Sequence, residues 1–212
     1  MRESVGLIET TNFTKFEICG PGARGCLSDI LANIIPVTGR LALAPMLNDK
    51  GKLAGDFTVA ALDPERFMLV GSGVAERYYE RYFDAHLRDD GSVSVRTMGP
   101  ELAGLSIAGP KSRDVLQDLV RDDMVTNAFP FMHIREMCVG MITALVGRIS
   151  YTGDIGTSSG FRPDIRRLYL ICCARPMRGM GWVFSGCARS TRFVWEEFRR
   201  LGLGVSLDLR PV

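Results

Sequence analysis

Hydrophobic and polar positions along this chain switch between a two-residue and a three-to-four-residue period, which predicts short strands broken by single helices. Residues 13–19 mix β-branched, aromatic and charged side chains and predict a strand. Gly20-Pro21-Gly22 then opens a predicted helix over 23–32, with proline in the first-turn position it favours. Residues 41–47 and 53–62 predict two strands joined by the turn Asn48-Asp49-Lys50-Gly51, and 67–70 a short buried strand. The most regular helical stretch is 74–87, where Tyr78, Tyr82 and Ala85 share a stripe. A strand over 102–108, a helix over 110–120 and an antiparallel pair over 131–139 and 144–151 follow. Hairpins interrupted by single helices make an α+β fold.

One segment recurs. Ile18-Cys19-Gly20-Pro21-Gly22-Ala23-Arg24, followed by Leu27, Asp29 and Ile30, returns as Ile107-Ala108-Gly109-Pro110-Lys111-Ser112-Arg113, followed by Leu116, Asp118 and Leu119. The offset is 89 at every matched position. Each copy reads as a strand, a Gly-Pro corner and a helix with Arg in its first turns. Two copies predict two related halves about a pseudo-two-fold axis, with room for a pocket between them. Two convergent corners are the plain alternative.

Charge divides the chain at Gly156. Residues 1–156 carry 16 Lys and Arg against 20 Asp and Glu, whereas 157–212 carry 10 Arg against four acids. The overall charge of +2 averages these unlike parts. No recognition motif or aromatic interleaving accompanies the arginines, so nucleic acid is not an expected partner. No apolar run approaches the roughly 20 residues of a membrane span, and the first residues lack a signal-peptide core. A cytoplasmic location without membrane contact is expected. The six cysteines have no zinc-ligand spacing, so reduced thiols and no metal site are expected.

The residues most open to chemistry lie in two blocks. Asp56 precedes Phe57-Thr58-Val59, a run with strong strand propensity, and a carboxylate there is costly to bury unless it meets a donor or does work. An aspartate bonded to nearby amides at the strand's entry is the plain alternative. In Gly147-Arg148-Ile149-Ser150-Tyr151-Thr152-Gly153-Asp154, Tyr151 offers a flat face and a hydroxyl, and Asp154 a carboxylate in a turn. A strand ending in a tight turn explains that block equally. Gly71-Ser72-Gly73 and Gly20-Pro21-Gly22 lack phosphate-loop spacing and read as turns. His86 and His133 stand alone, and the aromatic cluster Tyr78, Tyr79, Tyr82 and Phe83 reads as a helix's core face.

Further blocks join these in order. They are Val5-Gly6-Leu7-Ile8-Glu9-Thr10-Thr11-Asn12-Phe13-Thr14-Lys15-Phe16-Glu17, Gly20-Pro21-Gly22-Ala23, Pro45-Met46-Leu47-Asn48 with Gly51, and Gly55-Asp56-Phe57-Thr58-Val59. Gly71-Ser72-Gly73, Gly104-Leu105-Ser106-Ile107-Ala108-Gly109-Pro110, Phe129-Pro130-Phe131 and Tyr151-Thr152-Gly153-Asp154 complete the set. Over nearly all of residues 4–156 the chain resembles the folate-binding aminomethyltransferase family, nearest the C-terminal region of dimethylglycine and sarcosine dehydrogenases, with the glycine-cleavage T-protein more distant.

The resemblance implies methylene transfer. In that family an FAD oxidase domain oxidises an N-methyl amine to an iminium, and the folate domain lets tetrahydrofolate trap the one-carbon unit. Asp56 matches the catalytic aspartate and Tyr151 an aromatic position near the pterin. Asn48, Ser72 and Asp154 lie in matching blocks as candidate folate contacts.

After Gly156 the pattern departs. The family continues with Tyr-Glu, and here Thr157 and Ser158 take those places. A later family block of the form Gly-x-Phe-Gly-x-Arg-Ala-Leu-Asp-Ser-Leu has no counterpart in register. Codons for residues 181–194 read one frame over permit Leu-Gly-Val-Phe-Gly-Leu-Arg-Ala-Leu-Asp-Ser-Leu-Arg-Leu. The expected organisation is a partial folate-binding domain over 1–156 and a frameshifted, poorly ordered Arg-rich tail over 157–212. The resemblance is already under way at Met1, so FAD is expected only in a separate oxidase domain or a neighbouring polypeptide. Three functions stand open: methylene transfer from dimethylglycine or sarcosine, a non-catalytic folate-binding or interaction module, and an inactive gene remnant.

Overall fold

The computed structural model describes residues 5–87, 90–150, 156–161, 183–185 and 206–207. They divide into two compact units, one of residues 12–101 and 132–135, the other of 1–11, 102–131 and 136–212. Strands and helices mix in both, as the α+β expectation requires.

The first unit is built on a five-stranded antiparallel sheet. Its strands are β2 (Thr14–Cys19), β3 (Leu41–Leu47), β4 (Leu53–Asp63), β5 (Arg66–Gly71) and β6 (Ser94–Thr97), in the order β3-β4-β5-β2-β6. Side chains alternate between its faces. Phe16, Ile18, Phe57, Val59, Phe67 and Leu69 all point one way and are buried there with Ala23, Leu27 and Ile30 of α1 (Ala23–Ile30). Tyr79 and Phe83 of α2 (Glu76–His86) complete this core. The tyrosine-rich stretch is thus a helix's core face at Tyr79 and Phe83, while Tyr78 is exposed. Helix α1 is shorter than its sequence period predicts, because Leu31 turns extended and bridges Met46.

The second unit carries β1 (Gly6–Glu9), β7 (Ala103–Ala108), β8 (Ile134–Val139), β9 (Ile142–Gly147), β10 (Gly156–Phe161), β11 (Val183–Ser185) and β12 (Ser206–Leu207). Their order is β12-β11-β1-β7-β10-β9-β8. Helix α3 (Ser112–Gln117) buries Val115 and Leu116 against Leu7, Leu105, Ile107 and Phe129. The predicted strand pair after residue 131 appears as β8 and β9, turned at Gly140 with φ 64°. Residues at the start of the Arg-rich tail form a strand: β10 pairs with β7 from Gly156↔Ala108 to Phe161↔Ala103, and with β9 through Ser158↔Gly147. Thr-Ser-Ser-Gly has no apolar alternation to announce a strand. Backbone groups make the ladder, and β7 and β9 offer two edges for it. Strands β1 and β6 also escaped the hydrophobic pattern, each being four residues long.

The repeat is visible bond by bond. Ala23 N–H donates to Gly20 O and Ser112 N–H to Gly109 O, both at 3.0 Å. Cys26 N–H reaches Gly22 O at 2.9 Å and Val115 N–H reaches Lys111 O at 3.2 Å. Leu31 N–H and Val120 N–H close the helices on Leu27 O and Leu116 O at 2.9 and 3.0 Å. The arginines correspond as well. Arg24 donates to the carbonyls of Ile35 and Pro36, both at 3.0 Å, and lies over the Phe67 ring. Arg113 donates to Thr126 Oγ1 at 3.1 Å. Each guanidinium pins the chain that leaves its own helix. No helix among the described residues is long and apolar enough to cross a membrane.

Candidate functional site

Asp56 lies on β4, an inner strand of the five-stranded sheet, with its side chain exposed between the buried Gly55 and Phe57. Strand alternation therefore sends its carboxylate to the face opposite the aromatic core. Pro45 of β3 pairs with it. The carbonyl of Pro45 accepts from Ala32 N–H at 2.8 Å, and that of Leu43 from Asn33 Nδ2 at 2.6 Å. Both carbonyls thus turn away from β4, which makes Pro45↔Asp56 and Leu43↔Thr58 the non-hydrogen-bonded pairs of the ladder. Proline is tolerated there because the ladder asks no donor of it.

The consequence falls on Asp56. In a non-hydrogen-bonded pair with β3, its own N–H and C=O point to the β5 side. There the β4–β5 ladder ends at Thr58↔Val70. Just past the end of β5 comes Ser72, whose carbonyl accepts from Ala75 N–H at 3.1 Å in the turn that leads to α2. Tyr79 of α2 packs against this end of β4 from the core side. Burial pushes the Tyr79 phenol up, the charges of Asp56 and Tyr78 add to the rise, and the nearby Asp56 backbone offsets part of it. The net rise keeps this hydroxyl protonated.

Glycine makes this approach available. A Cβ on Gly55 would stand 2.8 Å from Tyr79 Cε1, and one on Gly71 would stand 2.7 Å from Phe57 Cε1 and 3.4 Å from Tyr79 Cε2. Gly73 lies so close to Asn12 that a Cβ would meet its carbonyl oxygen at 1.9 Å. The glycines of Gly71-Ser72-Gly73 thus serve packing.

Two other expected site residues sit at the same end of this sheet. Asn48 forms the β3–β4 turn: its N–H donates to Lys52 O at 2.9 Å, and its Oδ1 accepts from the N–H groups of Lys50 and Lys52, both at 3.0 Å. The turn occupies the oxygen, so the amide NH2 is the end a ligand can use. Ser72 precedes the 3-10 turn Gly73–Ala75, makes no side-chain cap bond and is exposed. Ser72 lies two residues past Val70, just beyond β5, and Asp56 two before Thr58, so both follow the last pair of the β4–β5 ladder. Tyr151 and Asp154 lie outside the described residues.

Elsewhere on the face opposite the core, Glu17 accepts from Arg66 at 2.8 Å and from Arg96 at 2.9 Å. Burial raises the Glu17 carboxyl, but hydrogen bonds from Arg96 and Arg66 and their charges outweigh it, and the net shift is downward. His86 stacks on Tyr82 at 4.0 Å and its Nδ1 lies 2.8 Å from the Tyr82 carbonyl. Arg40 donates to His133 Nε2 at 3.2 Å. Both histidines take surface packing roles. Among the described residues no three His, Cys, Asp or Glu side chains gather as a metal-ligand set.

Comparison with known proteins adds the following. The family described as the GCVT N-terminal domain matches residues 1–157. A mitochondrial dimethylglycine dehydrogenase of Rattus norvegicus is 32% identical over 213 aligned residues, covering 99% of this chain and 25% of that protein. That of Mus musculus is 30% identical, covering 99% and 24%. Both alignments run past Gly156, and the chain spans about a quarter of either relative's length. Among solved structures, the glycine cleavage system aminomethyltransferase T of Bartonella henselae superposes with a TM-score of 0.73 at 20% identity, covering 87% of this chain and 48% of that one.

Proposed function

Because the chain belongs to the GCVT N-terminal domain family, we propose that it supplies the folate-binding part of a one-carbon transfer enzyme that acts on an N-methyl amine such as dimethylglycine or sarcosine. The observation that carries the proposal is the exposed Asp56 carboxylate on an inner strand, at the end of the sheet where Asn48 and Ser72 also lie. Its surroundings suit a reduced pterin: a carboxylate that accepts, a serine hydroxyl without a cap bond and a carboxamide NH2, all at one end of the sheet.

Tetrahydrofolate, when bound, supplies the nucleophilic amine nitrogen that takes the one-carbon unit. Asp56 accepts the proton that this nitrogen sheds, and its charge offsets the positive charge of the amine-derived iminium. Ser72 and the Asn48 carboxamide orient the ring by hydrogen bonds, and Tyr151 and Asp154 stay candidate folate contacts on the resemblance alone. An FAD-dependent oxidase, in another domain or polypeptide, oxidises the amine.

The test is to combine the chain with tetrahydrofolate, dimethylglycine and a separate FAD-dependent amine oxidase, and to measure 5,10-methylenetetrahydrofolate above the rate without the chain. Asp56→Asn is expected to lower that excess by about a hundredfold or more. Equal yields with Asp and Asn would remove the role assigned to the carboxylate.

A second reading rests on Thr157 and Ser158, which stand where the resemblance calls for Tyr-Glu. In it the tail is translated from a shifted frame and the chain is an inactive remnant. The nucleotide sequence tests this directly: codons for 181–194 that cannot encode the family block in another frame would end it.

A further inference from the structure

We propose that Arg113 and Arg148, with the hydroxyl of Thr126 between them, form an oxyanion-binding site in the second unit that takes a carboxylate or phosphate group of a small ligand. Arg113 lies on α3, Thr126 in the stretch that follows it and Arg148 just past β9, so three separate segments of one unit meet. Arg113 Nη2 donates to Thr126 Oγ1 at 3.1 Å, and Arg148 Nη2 donates to the same oxygen at 3.2 Å. Two positive charges therefore converge on one neutral atom. Arg148 also donates to the carbonyl of Phe129, which fixes the direction of its fork.

The chemistry of the cluster is one-sided. A hydroxyl oxygen has two lone pairs and one hydrogen. With both lone pairs of Thr126 Oγ1 engaged, its hydrogen is left to point outward as a further donor. Among the described residues no carboxylate lies within ion-pair distance of either guanidinium, and no other acceptor takes their remaining N–H groups. Both arginines are half-buried, so water screens their repulsion less than it would on an open surface. Burial holds the Arg148 guanidinium below its usual value, and the Arg113 charge lowers it further. An oxyanion set against these donors would offset the repulsion through charge-assisted hydrogen bonds.

Two contrasts within the molecule favour a ligand role over a purely structural one. Arg24, at the position equivalent to Arg113 in the repeat, commits its fork to two backbone carbonyls, of Ile35 and Pro36, and lies over Phe67. Arg113 commits one N–H to a hydroxyl. Arg66 and Arg96 of the first unit also form a pair, and there the Glu17 carboxylate accepts from both, at 2.8 and 2.9 Å. Arg113 and Arg148 converge in the same manner around a hydroxyl that carries no charge. Guanidinium forks match carboxylate and phosphate alike, so the oxygens of either complete the arrangement.

The site stands independently of the role given to Asp56. It is tested on the full chain at low ionic strength, by following arginine side-chain N–H signals in magnetic resonance spectra as inorganic phosphate or glutarate is added. Saturable shifts of the Arg113 and Arg148 signals are expected with at least one of the two, and the tighter binder identifies the group as phosphate or carboxylate. Arg113→Met is expected to weaken that binding about tenfold or more, as loss of a charge-assisted hydrogen bond implies. Thr126→Val keeps both charges, removes the hydroxyl and should weaken binding several-fold. Arg121→Gln removes an equal charge from an exposed residue of the same unit and should change the affinity by less than about twofold. Shifts that never saturate, or equal weakening in Arg113→Met and Arg121→Gln, would mean general charge attraction and would overturn the proposal. Should Arg113→Met fail to fold, Thr126→Val decides, and wild-type affinity in that variant would overturn it as well.

Discussion

Gly20 and Gly109, 89 residues apart, hold nearly the same backbone torsion, φ +121° and +117°. Each sits where a strand turns into a helix, and each carbonyl accepts from the N–H three residues on at 3.0 Å. The corner needs a positive φ, which an L side chain resists. Gly20→Ala would also set a Cβ 2.3 Å from Ser92 O. We expect Gly20→Ala to cost about 3 kcal/mol and Gly109→Ala roughly 1–2 kcal/mol in urea unfolding. Wild-type stability in both would show that the shared corner is not a constraint.

The paired arginines give a second prediction. Arg24 ties Ile35 and Pro36 to α1, and Arg113 ties Thr126 to α3. Arg24→Met keeps much of the stem that lies over Phe67 but removes both hydrogen bonds, and should destabilise by about 2 kcal/mol. Arg113→Met loses one bond to a neutral oxygen and should cost less, about 1 kcal/mol. Thermal melts of the two variants check the ordering.

Glu17 predicts an acid response. Its carboxyl is held below its usual value, so the folded state binds the proton less readily than the unfolded chain. The stability it contributes is present above the unfolded carboxylate range and is lost as pH falls through the lowered folded value. Glu17→Gln should therefore cost about 1 kcal/mol at pH 7, a modest figure because Arg66 and Arg96 are half-exposed. The variant and the wild type should converge in stability at low pH. A difference that stays constant from pH 7 to pH 2 would refute the linkage.

Gly71→Ala tests the notch beneath Asp56. Its Cβ would meet two atoms of the Phe57 ring, at 2.7 and 2.8 Å, and Phe57 is 1% exposed in a close-packed core. Overpacking there should cost about 1–3 kcal/mol, and denaturant midpoints would register it. Gly51→Ala is a control for space, because a Cβ at Gly51 meets nothing within 4 Å, although its φ of +67° still opposes the side chain.

The fold was legible wherever one face of an element is buried. Phe16, Ile18, Phe57 and Val59 alternate with polar neighbours, and α2 shows its core through Tyr79 and Phe83, so both periods stand out. The repeat was legible because its corner demands glycine and its helix demands Leu27 and Leu116. Strand β10 was hidden because backbone pairing with β7 and β9 asks nothing apolar of Thr157, Ser158 and Ser159.

At the site, Asp56 announced itself as a carboxylate against a strand-forming run, and Asn48 as a turn residue. The close packing of Tyr79 over Gly55 was not legible, because which strand residues face α2 follows from register, not from local pattern. Gly55 and Gly71 were the available signal: two glycines on the core face of adjacent strands, followed by a helix rich in tyrosine.

The account turns on whether Asp56 serves a bound folate. Calorimetric titration of tetrahydrofolate into the full chain and into Asp56→Ala measures that most directly. We predict saturable binding to the wild type and at least tenfold weaker binding to Asp56→Ala, with both proteins melting cooperatively. A folded wild type that shows no heat of binding, or equal affinity in the two proteins, would contradict the account.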